Sequence, residues 1–183
     1  MKNKGKANLF PILNRRIITL HSASTASKVW SKGLLQESRL AHLATCKAGV
    51  PHVVPICYVF DGRNMYTPID EKPKRSKPGN LRRLVNISAN PNVCIVVDHY
   101  EEDWKRLKFT ILLGRARVIV RGREHRGAIL RLRKKYPQYR SMNLESCPII
   151  KISPSKLILW KSSSTPTGPY HTKRGSDVRQ TSK

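Results

Sequence analysis

Apolar residues change period several times along the chain, and each change marks an element. In TASKVWSKGLLQE, residues 25–37, Val29, Trp30, Gly33 and Leu34 fall at helical spacing and predict a short amphipathic helix. RLAHLATC, 39–46, alternates and predicts a strand, and Gly49 and Pro51 mark the turn after it. HVVPICYVF, 52–60, is β-branched and aromatic, so a second strand is expected; Pro55 marks an edge, a bulge or a break in pairing. DGRN, 61–64, is a hairpin signal, and MYTPI, 65–69, is the third strand. In PGNLRRLVNISANP, 78–91, the residues Leu81, Leu84, Val85 and Ser88 form the stripe of a helix, with Arg82, Arg83 and Asn86 turned outward and Asn90-Pro91 as the stop. NVCIVVD, 92–98, reads as a central strand. LKFTILLGRARVIV, 107–120, sets Ala116, Val118 and Val120 against Arg115, Arg117 and Ile119 on the other face. REHRGAILRLRKKY, 123–136, predicts a helix burying His125, Ile129, Leu132 and Tyr136, and CPIIKISPSKLILW, 147–160, a last strand or bulged pair. Hairpin-linked strands with few helices predict a mostly β fold, a small antiparallel barrel rather than a doubly wound parallel sheet.

The ends lack this patterning. Residues 1–24 read as a basic, disordered tail, 25–162 as one domain, and 163–183 as a second tail of Ser, Thr, Pro, Gly and Lys that cannot build a core. The first acid is Glu37, so the N-terminus resembles a transit peptide in composition; a disordered tail or an early start codon is the plainer reading. Over 183 residues, 36 basic against 11 acidic side chains give a net charge of +25. Such a chain attracts polyanions: nucleic acid, anionic membrane, or phosphorylated and polycarboxylate ligands. No apolar run approaches the ~20 residues of a membrane-spanning helix, so no membrane partner is expected. Cys46, Cys57, Cys94 and Cys147 form no CxxC pair and read as small buried hydrophobes in a reducing cytoplasm. The six histidines are scattered without metal-ligand spacing, so no metal is expected. There is no GxGxxG, Walker A or nucleophile elbow. Glu101, Glu102 and Asp103 beside Trp104 read as a solvated connection, or as a loop whose indole lids a planar ligand.

One stretch departs from this background. EKPKRSKPGN, 71–80, places Lys72, Lys74, Arg75 and Lys77 between a strand end and a helix start. With Ser76 as N-cap, these cations would crowd the positive end of the helix dipole, where they cost roughly 0.3–1 kcal/mol each unless an anion shares them. A helix N-terminus is already an anion site, and Arg grips phosphate bidentately. The stretch is therefore a candidate phosphate loop; the plain alternative is a solvated basic loop in a basic chain.

GVPHVVPICY, DEKPKR, NLRRL…ANPNV and VDHYEEDW followed by GRARV together resemble the pyridoxamine 5'-phosphate oxidase-like, FMN-binding split-barrel family, over about residues 28–160. Within it the DEKPKR and DHYEEDW segments are most similar to the branch of coenzyme F420-dependent oxidoreductases. The resemblance implies a six-stranded antiparallel split β-barrel, a homodimer with the cofactor at its interface, and hydride transfer to a small organic substrate. It implies that Val54, Pro55 and Ile56 present backbone groups to the cofactor ring. Thr67 would supply a hydroxyl, and Lys72, Lys74, Arg75 and Ser76 would hold the phosphate. Coenzyme F420 carries a polyglutamate tail as well as a phosphate, and Arg82, Arg83, Arg115 and Arg117 would suit that tail, so F420 is expected over FMN. Two other readings stay open: a flavin or haem carrier of the same fold without turnover, and a basic nucleic-acid-binding small barrel. The low aromatic content, 7%, and the lack of an aromatic-plus-basic strand motif count against the latter.

Overall fold

The computed structural model describes residues 18–19, 24–70 and 81–162. In chain order the elements are β1 (Ile18–Thr19), α1 (Thr25–Glu37), β2 (Ala41–Lys47), β3 (Val50–Ile56), β4 (Val59–Phe60), β5 (Met65–Pro68), α2 (Arg82–Ala89), β6 (Asn92–His99), β7 (Lys108–Ile119), α3 (Arg123–Lys135) and β8 (Ile149–Lys161). Single 3-10 turns lie at Trp104–Arg106, Pro137–Arg140 and Leu144–Ser146. No described helix is long and apolar enough to cross a membrane. β1 falls inside the segment expected to be a tail and pairs with β8.

The expected six-stranded barrel is not what forms. The strands run β3-β2-β6-β7-β8-β5-β4, all antiparallel, with β1 added on β8, and no described pairing joins β3 to β4. The sheet is open. Its two edges explain why. Pro51 and Pro55 in β3 lie four residues apart, so their missing N–H groups fall on one side of the strand together with Val53. The register that loses no bond to β2 turns that side outward, leaving an edge with one donor where three would be needed. At the other edge β4 is only two residues long.

Local chemistry sets the turns. Lys47 pairs with Val50 across a two-residue loop in which Ala48 and Gly49 have φ of 50° and 76°, the geometry of a tight hairpin turn. At 61–64 the Asp61 carboxylate accepts from the backbone N–H of Arg63 at 2.8 Å and of Asn64 at 2.6 Å.

The two faces of the sheet are covered unequally. One carries α1 and α2 over the larger core, with Leu35, Leu43, Ile95, Leu112 and Ile152 all buried. Fully burying each such side chain stabilises by about 1.5–3 kcal/mol. The opposite face is covered by α3 at one end only, through Ile119, Ile129, Leu132, Tyr139 and Ile149. Ile119 is buried there while Val118 and Val120 are exposed, the reverse of the expected alternation, because α3 packs on the odd-numbered side of β7. The rest of that face is open. It presents Ala44, Val53, Val96, Ile111, Leu113 and Ile158, and Phe109 stacks on Trp160 with ring centroids 5.2 Å apart.

α2 also differs from its expected stripe. It starts at Arg82, with Leu81 as N-cap and no side-chain cap, and the expected cap, Ser76, lies outside the described residues. Asn86, expected outward, is buried, and Val85 and Ser88 are exposed. The amide of Asn86 donates to Thr45 Oγ1 at 3.1 Å, which offsets the cost of burying it. Val29 of α1 is likewise exposed rather than buried. Cys147 is buried as expected, but Cys46, Cys57 and Cys94 are half-buried; no disulfide links the four.

Candidate functional site

The expected strand 52–60 is broken at Cys57-Tyr58, where it stops pairing with β2 and begins, as β4, to pair with β5. Tyr136, at the end of α3, holds the break. Its hydroxyl accepts from the Tyr58 N–H at 3.0 Å and lies 2.7 Å from the Arg39 carbonyl and 2.9 Å from the Tyr58 carbonyl, to one of which it donates. Backbone groups that leave the ladder at the break thus remain bonded inside the core. Burial pushes the Tyr136 phenol up to about 12, so it stays a donor at neutral pH.

Continuing the Val59–Tyr66 register by one step puts Tyr58 opposite Thr67. The break therefore brings the end of β3 beside β5, and with it two of the expected site segments. Val54 is half-buried, Pro55 exposed and Ile56 buried on the edge strand; Thr67 is 3% exposed. Lys72, Lys74, Arg75 and Ser76 lie outside the described residues.

The chain on either side of that segment is well fixed. Ile69 donates its N–H to the Pro148 carbonyl at 2.8 Å. Tyr139 donates its hydroxyl to Asp70 at 3.0 Å, and burial, then the Asp70 carboxylate, raises the Tyr139 phenol. On the return side, Arg82 and Arg83 occupy the first turn of α2 with no acid beside them in that turn. Half-burial lowers the Arg83 guanidinium below its usual value, and attraction to Asp70 opposes this. Asp70 and Arg83, on either side of residues 71–80, are thus close enough to attract each other. The helix-end argument made for Lys74 and Arg75 applies in the structure to Arg82 and Arg83.

A second group of residues, not singled out in the sequence, adjoins the break. Arg39, Leu40, Cys57, Tyr136, Gln138 and Tyr139 line a cavity of about 360 Å³. The Arg39 guanidinium lies 4.9 Å from the Tyr136 ring centroid, and the Lys135 ammonium 4.2 Å from that of Tyr58. Lys135 donates to the Ser38 carbonyl at 2.6 Å, and burial, then Arg39, lowers it to about 8. Helical spacing placed Tyr136 inward, but nothing in the spacing shows that its hydroxyl spans a strand break.

The depressed Lys135 gives a pH signature. Folded protein binds fewer protons than unfolded protein between about 8 and the ordinary value of 10.5, so stability rises with pH across that window. Lys135→Met should remove this rise. The wild-type thermal midpoint, taken relative to that of Lys135→Met, should be higher at about pH 10 than at about pH 7.5, and a constant difference would refute the assignment.

Trp104 is 69% exposed. His125 is buried, as its helical spacing predicted, with Nε2 2.9 Å from the Cys147 carbonyl. Among the described residues no group of His, Cys, Asp and Glu is arranged to hold a metal.

The sequence pattern of pyridoxamine 5'-phosphate oxidase matches residues 31–161, and the chain belongs to that family. No curated protein matches it. Among solved structures it is similar to a FAD-binding protein from Mesorhizobium loti, at 20% identity and TM-score 0.58, covering 80% of this chain and 99% of that one. A heme storage protein from Vibrio cholerae aligns at 19% identity and TM-score 0.58, covering 74% and 94%. An F420 reductase aligns at 19% identity and TM-score 0.52, covering 69% and 94%. These likenesses show that the fold is shared with proteins of this kind.

Proposed function

We propose that the chain is a flavin-dependent oxidoreductase that binds FMN and moves a hydride between it and a small organic substrate. The carrying observation is positional. The chain leaves β5 after Pro68 and enters α2 at Arg82, with Arg83 drawn to Asp70, so the segment holding Lys72, Lys74, Arg75 and Ser76 connects a strand to a helix N-terminus. The donor set fits a phosphate: lysines and arginines, with the N-terminal end of α2 beside them. In this reading the edge at Val54, Pro55 and Ile56 and the Thr67 hydroxyl flank the planar ring. Bound FMN would supply the hydride chemistry, and the protein binds, orients and excludes water. Titration of purified protein with FMN and with coenzyme F420, followed by cofactor fluorescence, tests this. Micromolar or tighter binding supports it, and binding of neither removes it.

The second reading is coenzyme F420 as cofactor, supported by the likeness to the F420 reductase and by the exposed Arg82, Arg115 and Arg117, which suit a polycarboxylate tail. Tighter binding of F420 in the same titration selects it. Likeness to the heme storage protein supports a carrier without turnover, recognised by bound cofactor and no substrate reduction. Free thiols at all four cysteines suit a reducing cytoplasm.

We also propose that the open apolar face is the contact between two copies of the chain, with the cofactor site beside it. An apolar sheet face of this extent is costly to leave in water, and a two-fold contact matches it with itself. Ile111→Glu should yield monomers by light scattering and weaken flavin binding together. A wild type that is monomeric at micromolar concentration would overturn this.

A further inference from the structure

We propose that the outer face of α3 is a separate binding surface for the phosphodiester backbone of nucleic acid. α3 buries His125, Ala128, Ile129 and Leu132. Its opposite face turns Arg123, Arg126, Arg131 and Lys134 to solvent, and Arg121 and Arg140 flank it, also exposed. Residues 121–140 hold eight Lys or Arg and one acid, Glu124. An even spread of the 36 basic residues over 183 positions would put about half as many there, so the patch is more than a share of the overall charge.

The nearby acids are already engaged. Glu124 accepts from Lys151 and, at 2.7 Å, from Arg117; Glu145 accepts both Arg133 nitrogens, at 2.6 and 2.8 Å. Among the described residues no acid pairs with Arg121, Arg123, Arg126 or Lys134. Like charges three apart, Arg123 with Arg126 and Arg131 with Lys134, oppose the helix, and Arg121 and Arg123 sit at its positive end. A line of phosphates would relieve all of this. From Arg123 to Lys134 the helix rises about 16 Å, or about five phosphate steps along one strand.

Two features choose nucleic acid over a membrane. Leu130 is the one large apolar side chain exposed on this face, whereas a helix lying on lipid needs a whole apolar face. No aromatic residue is exposed there to stack on bases, so contact with the backbone, independent of sequence, is expected. None of these side chains belongs to the flavin reading, and the two stand or fall separately.

The test is anisotropy of a labelled DNA duplex of about 20 base pairs, titrated with the full chain between about 50 and 200 mM salt. The R126Q/R131Q/K134Q variant should bind at least about tenfold more weakly, and its log–log salt slope should be smaller by about 2–3. K28Q/K32Q/K105Q, which removes the same charge from exposed sites elsewhere, should change affinity by less than about threefold. Lys134→Gln alone should shift affinity in the same direction, which guards against a misfolded triple variant, and FMN binding should be unchanged in both. Equal losses in the two triple variants would reduce the surface to bulk charge and overturn the proposal. So would an unchanged α3 variant, a wild type that fails to bind at about 100 mM salt, or tighter binding to anionic phospholipid vesicles than to the duplex.

Discussion

Replacing Lys74 and Arg75 together by alanine should weaken FMN binding by roughly a hundredfold or more. Hydrogen bonds to charged groups contribute about 1.5–3 kcal/mol each, and losing two costs about 3 kcal/mol at the least. The remaining affinity would come from Arg82, Arg83 and the N-terminal N–H groups of α2, which hold the return side of the segment whatever stands at 74 and 75. Quenching of flavin fluorescence reads the affinity directly. An affinity within about threefold of wild type would move the phosphate off residues 72–76 and onto the helix end, making Arg83→Ala the damaging change. A free-energy loss that disappears at high salt would mark screened surface attraction rather than a built site.

Elements with one clear apolar period were legible in the sequence, and those whose pattern is set by a partner were not. α3 and its buried residues follow from spacing, as do β6 and the hairpin at 61–64, because each depends on neighbours a few positions away. Asn86 did not, since its burial rests on a hydroxyl 41 residues earlier in the chain, at Thr45. The break at Cys57-Tyr58 did not, since Tyr136 stabilises it from 78 residues away. Pro55 marked an edge, a bulge or a break, and an edge is what forms; Pro51, expected as turn punctuation, lies in the same edge strand, and the barrel expected from the hairpin-linked strands and from family likeness does not close. For the site, the sequence singled out the basic segment by its residue types, and Thr67 only through the family resemblance. Asp70, Tyr139 and Lys135 are ordinary residues until the fold sets them near the ends of that segment and the strand break.

Gly114→Ala should be among the most destabilising single substitutions in the chain, costing about 3 kcal/mol or more and lowering the thermal midpoint by roughly 6–12 °C. The reason is space rather than backbone freedom. A Cβ on Gly114 would lie 2.5 Å from the Ser153 carbonyl oxygen and 3.0 Å from Pro154 Cα, both backbone atoms with no flexible end to move aside. The close approach occurs where the β7–β8 register shifts: Leu113 pairs with Lys156, but Gly114 pairs with Pro154. Ser155 is the extra residue, and its hydroxyl donates to the Leu113 carbonyl at 3.1 Å, fixing the bulge. β7 has no room to retreat, because Gly114 also pairs with Val93 of β6 on its other side. Gly33→Ala is the matched control. Its Cβ would meet only Glu37 Oε1 at 3.8 Å, and alanine inside α1 should gain up to about 1 kcal/mol over glycine. Thermal melts of the two variants should therefore move in opposite directions. A Gly114→Ala midpoint within about 2 °C of wild type would mean that β8 can slide past its own bulge, and that the long β7–β8 pairing is softer than its register implies.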